Sequence, residues 1–283
     1  MKKRVFLLSI TLILALFTGG CATSSKSSSQ TQQSIPGATV QSEVSQAPVK
    51  TTTIRIAAAA SLETIITQDL IPKFESQNPG IKVEGTYDSS GKLQTQIEEG
   101  LTADIFFSAA TEQMDQLNSK GLIADNTRVD LLKNKIVLIT PANATSGITK
   151  FEDITKANKI AIGDPDSVPA GQYAKEALIS LGLWDKVSVK ASLGTNVNEV
   201  LNWVAMGSAD AGIVYATDAK LKSDKIRIVA EAPSGSLKKD VFYPVAVLKA
   251  STKQEVARKF IDFLTSNEAI QIFESYEFTD AKR

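Results

Sequence analysis

Four short stretches place small or polar residues between an apolar run and a helix-like repeat. They are Ala60-Ser61-Leu62, Ser89-Ser90-Gly91, Val168-Pro169-Ala170-Gly171 and Asn196-Val197. The first turn of a helix exposes N–H groups with no partner inside the helix, together with about half a positive charge. Such a turn can hold an anion without any cationic side chain. Ser61 and Ser90 add hydroxyl donors. Pro169 fixes the backbone ahead of Ala170, and Gly171 permits close approach. Any one stretch, taken alone, reads more readily as an ordinary helix cap.

Other chemistries are poorly supplied. The 283 residues contain no His and one Cys, Cys21. Ser-His-Asp and Cys-His arrangements are thereby excluded, as are an intramolecular disulfide and a CxxC metal site. Ser89-Ser90-Gly91-Lys92 fits S-x-x-K, but the companion S-D-N and K-T-G motifs are missing. Gly85 to Gly91-Lys92 resembles a phosphate loop with one residue too many, and Leu93 stands where a magnesium-binding Ser or Thr belongs. Basic and acidic side chains balance at 31 each, with no basic stripe, which argues against a nucleic-acid partner.

The elements that must position the four stretches follow from periodicity. Ile54–Ala60, Ile81–Tyr87, Ala103–Ser108, Lys135–Thr140, Lys159–Ile162, Val187–Ala191, Ala211–Tyr215, Lys225–Val229 and Val241–Leu248 read as strands. Pro244 in the last implies an edge or crossover position. Helical spacing follows Ser61 and covers Gly91–Glu99, a segment carrying Met114 and Leu117, Gln172–Leu181, Asn198–Met206, Lys253–Thr265 and Asn267–Ser275. Tyr215 ends a strand with no helix expected after it. Alternating strands and helices imply largely parallel sheets covered on both faces, with ligands beyond the strands' carboxyl ends.

The N-terminus reads as an address. Lys2-Lys3-Arg4 precedes a 13-residue apolar run, Val5–Phe17, and Thr18-Gly19-Gly20-Cys21 follows. The run is shorter than the roughly 20 residues of a spanning helix, so residues 1–20 are expected to be a secretory signal. Their loss leaves 28 basic and 31 acidic side chains. Ser, Thr and Gln make up 19 of residues 22–53, with no aromatic residue. That composition cannot bury enough apolar area to order itself, and it predicts a flexible tether spanning roughly 30 Å.

From Ile54 to Phe278 an ordered set of segments carries a family resemblance. It comprises Ala57-Ala58-Ala59-Ala60-Ser61-Leu62, Ser89 to Gly100, Ala103-Asp104-Ile105-Phe106-Phe107-Ser108-Ala109 and Gly163-Asp164-Pro165. It continues through Val168 to Ala174, Gly212-Ile213-Val214-Tyr215 and Tyr243-Pro244-Val245-Ala246. The set resembles the molybdate-binding proteins of ABC transporters. The resemblance implies an α/β, two-lobed periplasmic binding protein of type II, each lobe a mostly parallel sheet flanked by helices. Lobe I would be residues 54–134 and 244–283, and lobe II residues 135–243. The implied oxyanion ligands are the hydroxyl and N–H of Ser61 and Ser90, the N–H of Ala170 and Val197, and the hydroxyl of Tyr215. Molybdenum would be bound only as its oxyanion, molybdate, with tungstate as a second ligand; sulfate or phosphate is the alternative.

No cofactor and no catalysis are implied. The partners would be an ABC permease and the membrane, reached through a lipidated Cys21 that anchors residues 21–53 at the outer face of the cytoplasmic membrane, and the protein would be a monomer. Thr18 departs from the Leu usual in a lipobox. Tyr276-Glu277-Phe278 carries Glu where Gly is usual, at an expected surface turn.

Overall fold

The computed structural model describes residues 51–283. The expected signal, Cys21 and nearly all of the expected tether lie outside the described residues. Among the described residues no helix is long and apolar enough to cross a membrane. The strands are β1 (Thr52–Ala59), β2 (Ile81–Asp88), β3 (Ile105–Phe107), β4 (Val129–Asn134), β5 (Ile136–Pro141), β6 (Ile160–Gly163), β7 (Ala191–Gly194), β8 (Ala211–Tyr215), β9 (Ile226–Glu231), β10 (Val241–Val247) and β11 (Thr279–Asp280). The helices are α1 (Glu63–Ile65), α2 (Ile71–Gln77), α3 (Ser90–Glu98), α4 (Thr111–Ser119), α5 (Pro169–Ser180), α6 (Trp184–Ser188), α7 (Val197–Ala205), α8 (Ala216–Lys220), α9 (Gln254–Leu264) and α10 (Asn267–Ser275). A 3₁₀ turn, Ala60–Leu62, leads directly from β1 into α1.

Two sheets result, each covered by helices. The first has the order β11-β4-β10-β3-β1-β2, the second β7-β6-β8-β5-β9. Both are mixed, which departs from the mostly parallel expectation. The β1, β2 and β3 strands run parallel, as do β6, β7 and β8, because helical crossovers join them. The strands that carry the chain between sheets run antiparallel to their neighbours. A strand arriving from the other lobe has no such crossover to set its direction.

The chain passes from the first sheet to the second at Lys135, the one residue between β4 and β5, and returns between Glu231 and Val241. Val241, Phe242 and Tyr243, assigned to lobe II from sequence, pair with Asn134, Lys133 and Leu132 in the first sheet. Pro244 is not on an edge, since β10 lies between β4 and β3. The ladder tolerates it because the register shifts between Tyr243 and Pro244.

Further differences concern short elements. Trp184–Ser188 is helical and the strand begins at Ala191, not Val187. Buried Val187 and apolar Val189 imitate strand alternation, but Asp185 in the first turn favours a helix. The β4 strand and the five-residue α8 are absent from the sequence reading. The core is aliphatic around both sheets, with an aromatic group in the first lobe where Phe74 meets Phe260 edge-on at 4.8 Å.

Candidate functional site

Ser61, Ser90, Ala170, Val197 and Tyr215 all line one small cavity of about 10 Å³. Ser61 and Ser90 come from the first lobe; Ala170, Val197 and Tyr215 come from the second. Among the described residues no Lys, Arg, Asp or Glu borders the space. Larger surface hollows, such as the one beside Lys135, Glu231 and Asp240, carry charges of both signs and bring none of these five residues together. Among the described residues no cluster of three or more His, Cys, Asp or Glu could hold a metal ion.

Each residue sits at the start of a helical segment. Ser61 is second in the 3₁₀ turn that follows β1, and Ser90 is the first residue of α3. Ser89, not Ser90, is the α3 cap, its Oγ accepting from the Lys92 N–H at 3.4 Å. Ala170 follows Pro169 at the start of α5, where a missing Pro N–H costs nothing. Gly171 serves packing, since a Cβ there would lie 2.0 Å from the Gly163 carbonyl oxygen of β6. Val197 opens α7 behind the Asn196 cap, whose Oδ1 accepts from the Glu199 N–H at 3.0 Å. Tyr215, contrary to expectation, also precedes a helix, for it caps α8. Ser89, which also borders the cavity, does the capping of α3, so Ser90 is not consumed in it, and Ser61 makes no capping bond.

The hydroxyls are held from behind. The Ser90 Oγ accepts from the Ala109 N–H at 3.0 Å. Ser61 Oγ lies 3.0 Å from the Tyr243 hydroxyl, which also receives the Asn134 Nδ2–H at 3.1 Å. Tyr215 donates its hydroxyl proton across the cleft to the Ala109 carbonyl at 3.0 Å. Burial pushes the Tyr215 and Tyr243 phenols well above their ordinary range, so both stay protonated. Behind them lies Asp218, fully buried, accepting from the Tyr215 N–H at 3.2 Å through Oδ2. Its Oδ1 has no hydrogen-bond partner among the described residues, and burial raises its carboxyl to about 7.

More bonds close the cleft. The Gly91 N–H donates to the Ser167 carbonyl at 3.0 Å, Gln113 Nε2 to Gln172 Oε1 at 3.0 Å, and Asn198 Nδ2 to the Ala60 carbonyl at 3.1 Å. Lys92 turns away from the cavity to Asp88, with 3.3 Å between Nζ and Oδ1. Sequence reasoning missed Ala109, Tyr243, Asn134 and Asp218. Ala109 had a usable signal, because Ser108-Ala109-Ala110 separates β3 from α4 just as the four recognised stretches separate theirs.

Comparison with known proteins gives consistent relatives. Residues 54–279 match the family described as bacterial extracellular solute-binding protein. Bacillus subtilis YvgL, assigned as an ABC transporter substrate-binding lipoprotein, is 41% identical over 230 residues, covering 81% of this chain and 87% of YvgL. The molybdate-binding protein ModA of Haemophilus influenzae is 39% identical over 231 residues, covering 80% of this chain and 89% of the relative. A solved substrate-binding domain assigned to a molybdenum ABC transporter of Clostridium difficile superposes with a TM-score of 0.63 at 38% identity, covering 80% of this chain and 98% of that one.

Proposed function

This chain belongs to the bacterial extracellular solute-binding proteins, and on that premise we propose that it captures molybdate, and also tungstate, for an ABC permease. The observation that carries the reading is the cavity. Five residues from two lobes converge there with hydroxyl and helix-terminal N–H donors and no charged side chain. A dianion in such a site is stabilised by charge-assisted hydrogen bonds, each worth roughly 1.5–3 kcal/mol. The relatives' names supply the choice of oxyanion.

In this reading Ser61, Ser90, Ala170, Val197 and Tyr215 are the ligands. The lobes meet at Lys135 and at the segment 232–240, and they close because the ligand touches both. The protein acts as a monomer that binds and releases without turnover. Cys21 carries the lipid that keeps it at the outer face of the cytoplasmic membrane. Fractionation of cells expressing Cys21→Ala tests the anchor; wild type and mutant in the same soluble fraction would count against it.

Calorimetric titration with molybdate, tungstate, sulfate and hydrogen phosphate tests the ligand. Molybdate and tungstate should bind far more tightly than the other two. Tight sulfate or phosphate binding without molybdate binding would replace the reading. Lys92→Met should change affinity little, whereas Ser90→Ala should weaken it strongly; equal losses would sink the neutral-donor picture.

A further inference from the structure

Ser61 and Ser90 each present a hydroxyl, and a hydroxyl can donate or accept. Which it does decides what kind of oxyanion the site tolerates. The protein groups behind each serine bear on that choice.

The sequence of donors begins at Asn134. Its Oδ1 accepts from the Lys135 N–H at 2.8 Å, which fixes the orientation of the amide. The Nδ2 end then faces Thr217 Oγ1 at 2.9 Å and Tyr243 Oη at 3.1 Å. An NH₂ group only donates. Tyr243 Oη therefore accepts from Asn134 and can give its own proton to Ser61 Oγ, which lies 3.0 Å away. The Ser61 oxygen accepts that proton and is left with its own proton to give. The cavity is what Ser61 borders. Ser90 reaches the same state by a shorter route, because the Ala109 N–H can only donate to its oxygen.

We infer that Tyr243 is a positioning residue that fixes Ser61 as a donor toward the bound oxyanion, and thereby discriminates against oxyanions that carry a proton. The inference rests on the oxyanion reading of the site and adds to it a residue outside the cavity wall. An oxyanion bearing an O–H would direct that proton at a donor and leave both unsatisfied, which is costly in a buried site. Fully ionised molybdate presents acceptors only. The Tyr243 ring is held by edge contacts to Tyr215 at 5.4 Å and Phe278 at 5.2 Å, so removing the hydroxyl alone leaves the packing in place.

A double-mutant cycle between Tyr243→Phe and Ser61→Ala tests this, with molybdate and hydrogen phosphate as titrants and ligand-free melting as a control on folding. Tyr243→Phe should weaken molybdate binding about tenfold in the wild-type background and less than about twofold in the Ser61→Ala background. It should also narrow the ratio of molybdate to hydrogen phosphate affinity, since the freed Ser61 oxygen can then accept a proton. Equal losses in both backgrounds, or no loss in either, would overturn the inference while leaving the oxyanion reading intact. Where the wild type prefers sulfate, the same cycle is run with sulfate and judged by the same criteria. A wild type that binds none of the three would overturn the oxyanion reading and this inference with it.

Discussion

Tyr215 and Ala109 belong to different lobes, yet the hydroxyl of one donates to the carbonyl of the other at 3.0 Å. A phenol has a single proton, so this bond and donation to an oxyanion exclude each other. Ligand capture at Tyr215 thus exchanges one acceptor for a charged one, and the net gain is the difference between the two bonds.

Tyr215→Phe separates these contributions. The ring keeps its edge contact with Tyr243 at 5.4 Å. Molybdate affinity should fall only by that difference, about 5- to 15-fold, and ligand-free stability by roughly 0.5–1.5 kcal/mol. Calorimetry and thermal melts on the same variant read both. Unchanged affinity would remove Tyr215 from the ligand set.

Gly91 governs how near the lobes can come. A Cβ there would sit 2.4 Å from the Ser167 carbonyl oxygen and 2.8 Å from its Cα, both backbone atoms that cannot swing aside. The residue is not among those with positive φ, so Ala suits the first turn of α3 locally. Gly91→Ala should leave the ligand-free fold intact and weaken molybdate binding tenfold or more, as the closed state becomes less accessible (an order-of-magnitude expectation). Solution scattering should show wild type contracting with ligand and the variant failing to. Equal contraction would show that closure does not depend on this contact.

Asp218 gives stability a pH dependence. Burial raises its carboxyl to about 7 in the folded protein, against roughly 3.9 when unfolded. The folded state therefore holds the proton more tightly between those values. Its stabilising contribution is complete below about pH 4, declines as pH rises toward 7, and then levels off. Asp218→Asn keeps an acceptor for the Tyr215 N–H and should flatten that part of the profile. Melting temperatures from pH 4 to 8 for both proteins decide it; parallel profiles would assign the dependence elsewhere.

Glu277 occupies a position built for glycine. Its φ is 71°, and it follows the end of α10. The Glu277 N–H bonds to the Glu274 carbonyl and the Phe278 N–H to the Phe273 carbonyl, a Schellman ending in which Phe278 packs on Phe273 at 5.8 Å. Its exposed ion pair with Lys220 offsets little. Glu277→Gly should raise stability by about 0.5–1 kcal/mol in chemical denaturation. A loss would mean that the ion pair outweighs the strain.

The parts of this architecture written in local pattern were legible. Long alternations such as Gly91–Glu99 and Asn267–Ser275 appear as helices within a residue or so of where they were expected. Helix starts were readable because small residues must follow the strands, which marked the stretches holding Ser61, Ser90, Ala170 and Val197; the family resemblance singled those residues out as ligands and alone supplied Tyr215. What sequence does not encode locally stayed hidden. The partners of Tyr243 lie 182 and 109 residues away, at Ser61 and Asn134. The α8 helix is too short to show periodicity, although Asp218 stands three residues after Tyr215, the spacing of a capping box. Strand β4 pairs across a register shift, and a polar residue at Asp130 blurs its apolar pattern.

The passage at Lys135 has a consequence for how the chain tolerates length changes. Only one residue separates β4 from β5, whereas residues 232–240 separate β9 from β10. The first passage acts as a taut pin and the second as a slack strap. Extra residues within 232–240 can bulge outward and leave both sheets in register. A single residue inserted beside Lys135 has nowhere to go: it must slide β5 by one step against β8 and β9, turning each of its side chains to the opposite face. The geometry of the whole cleft is thus indexed to the length of one connection, and insertions and deletions should be absorbed on the strap side alone.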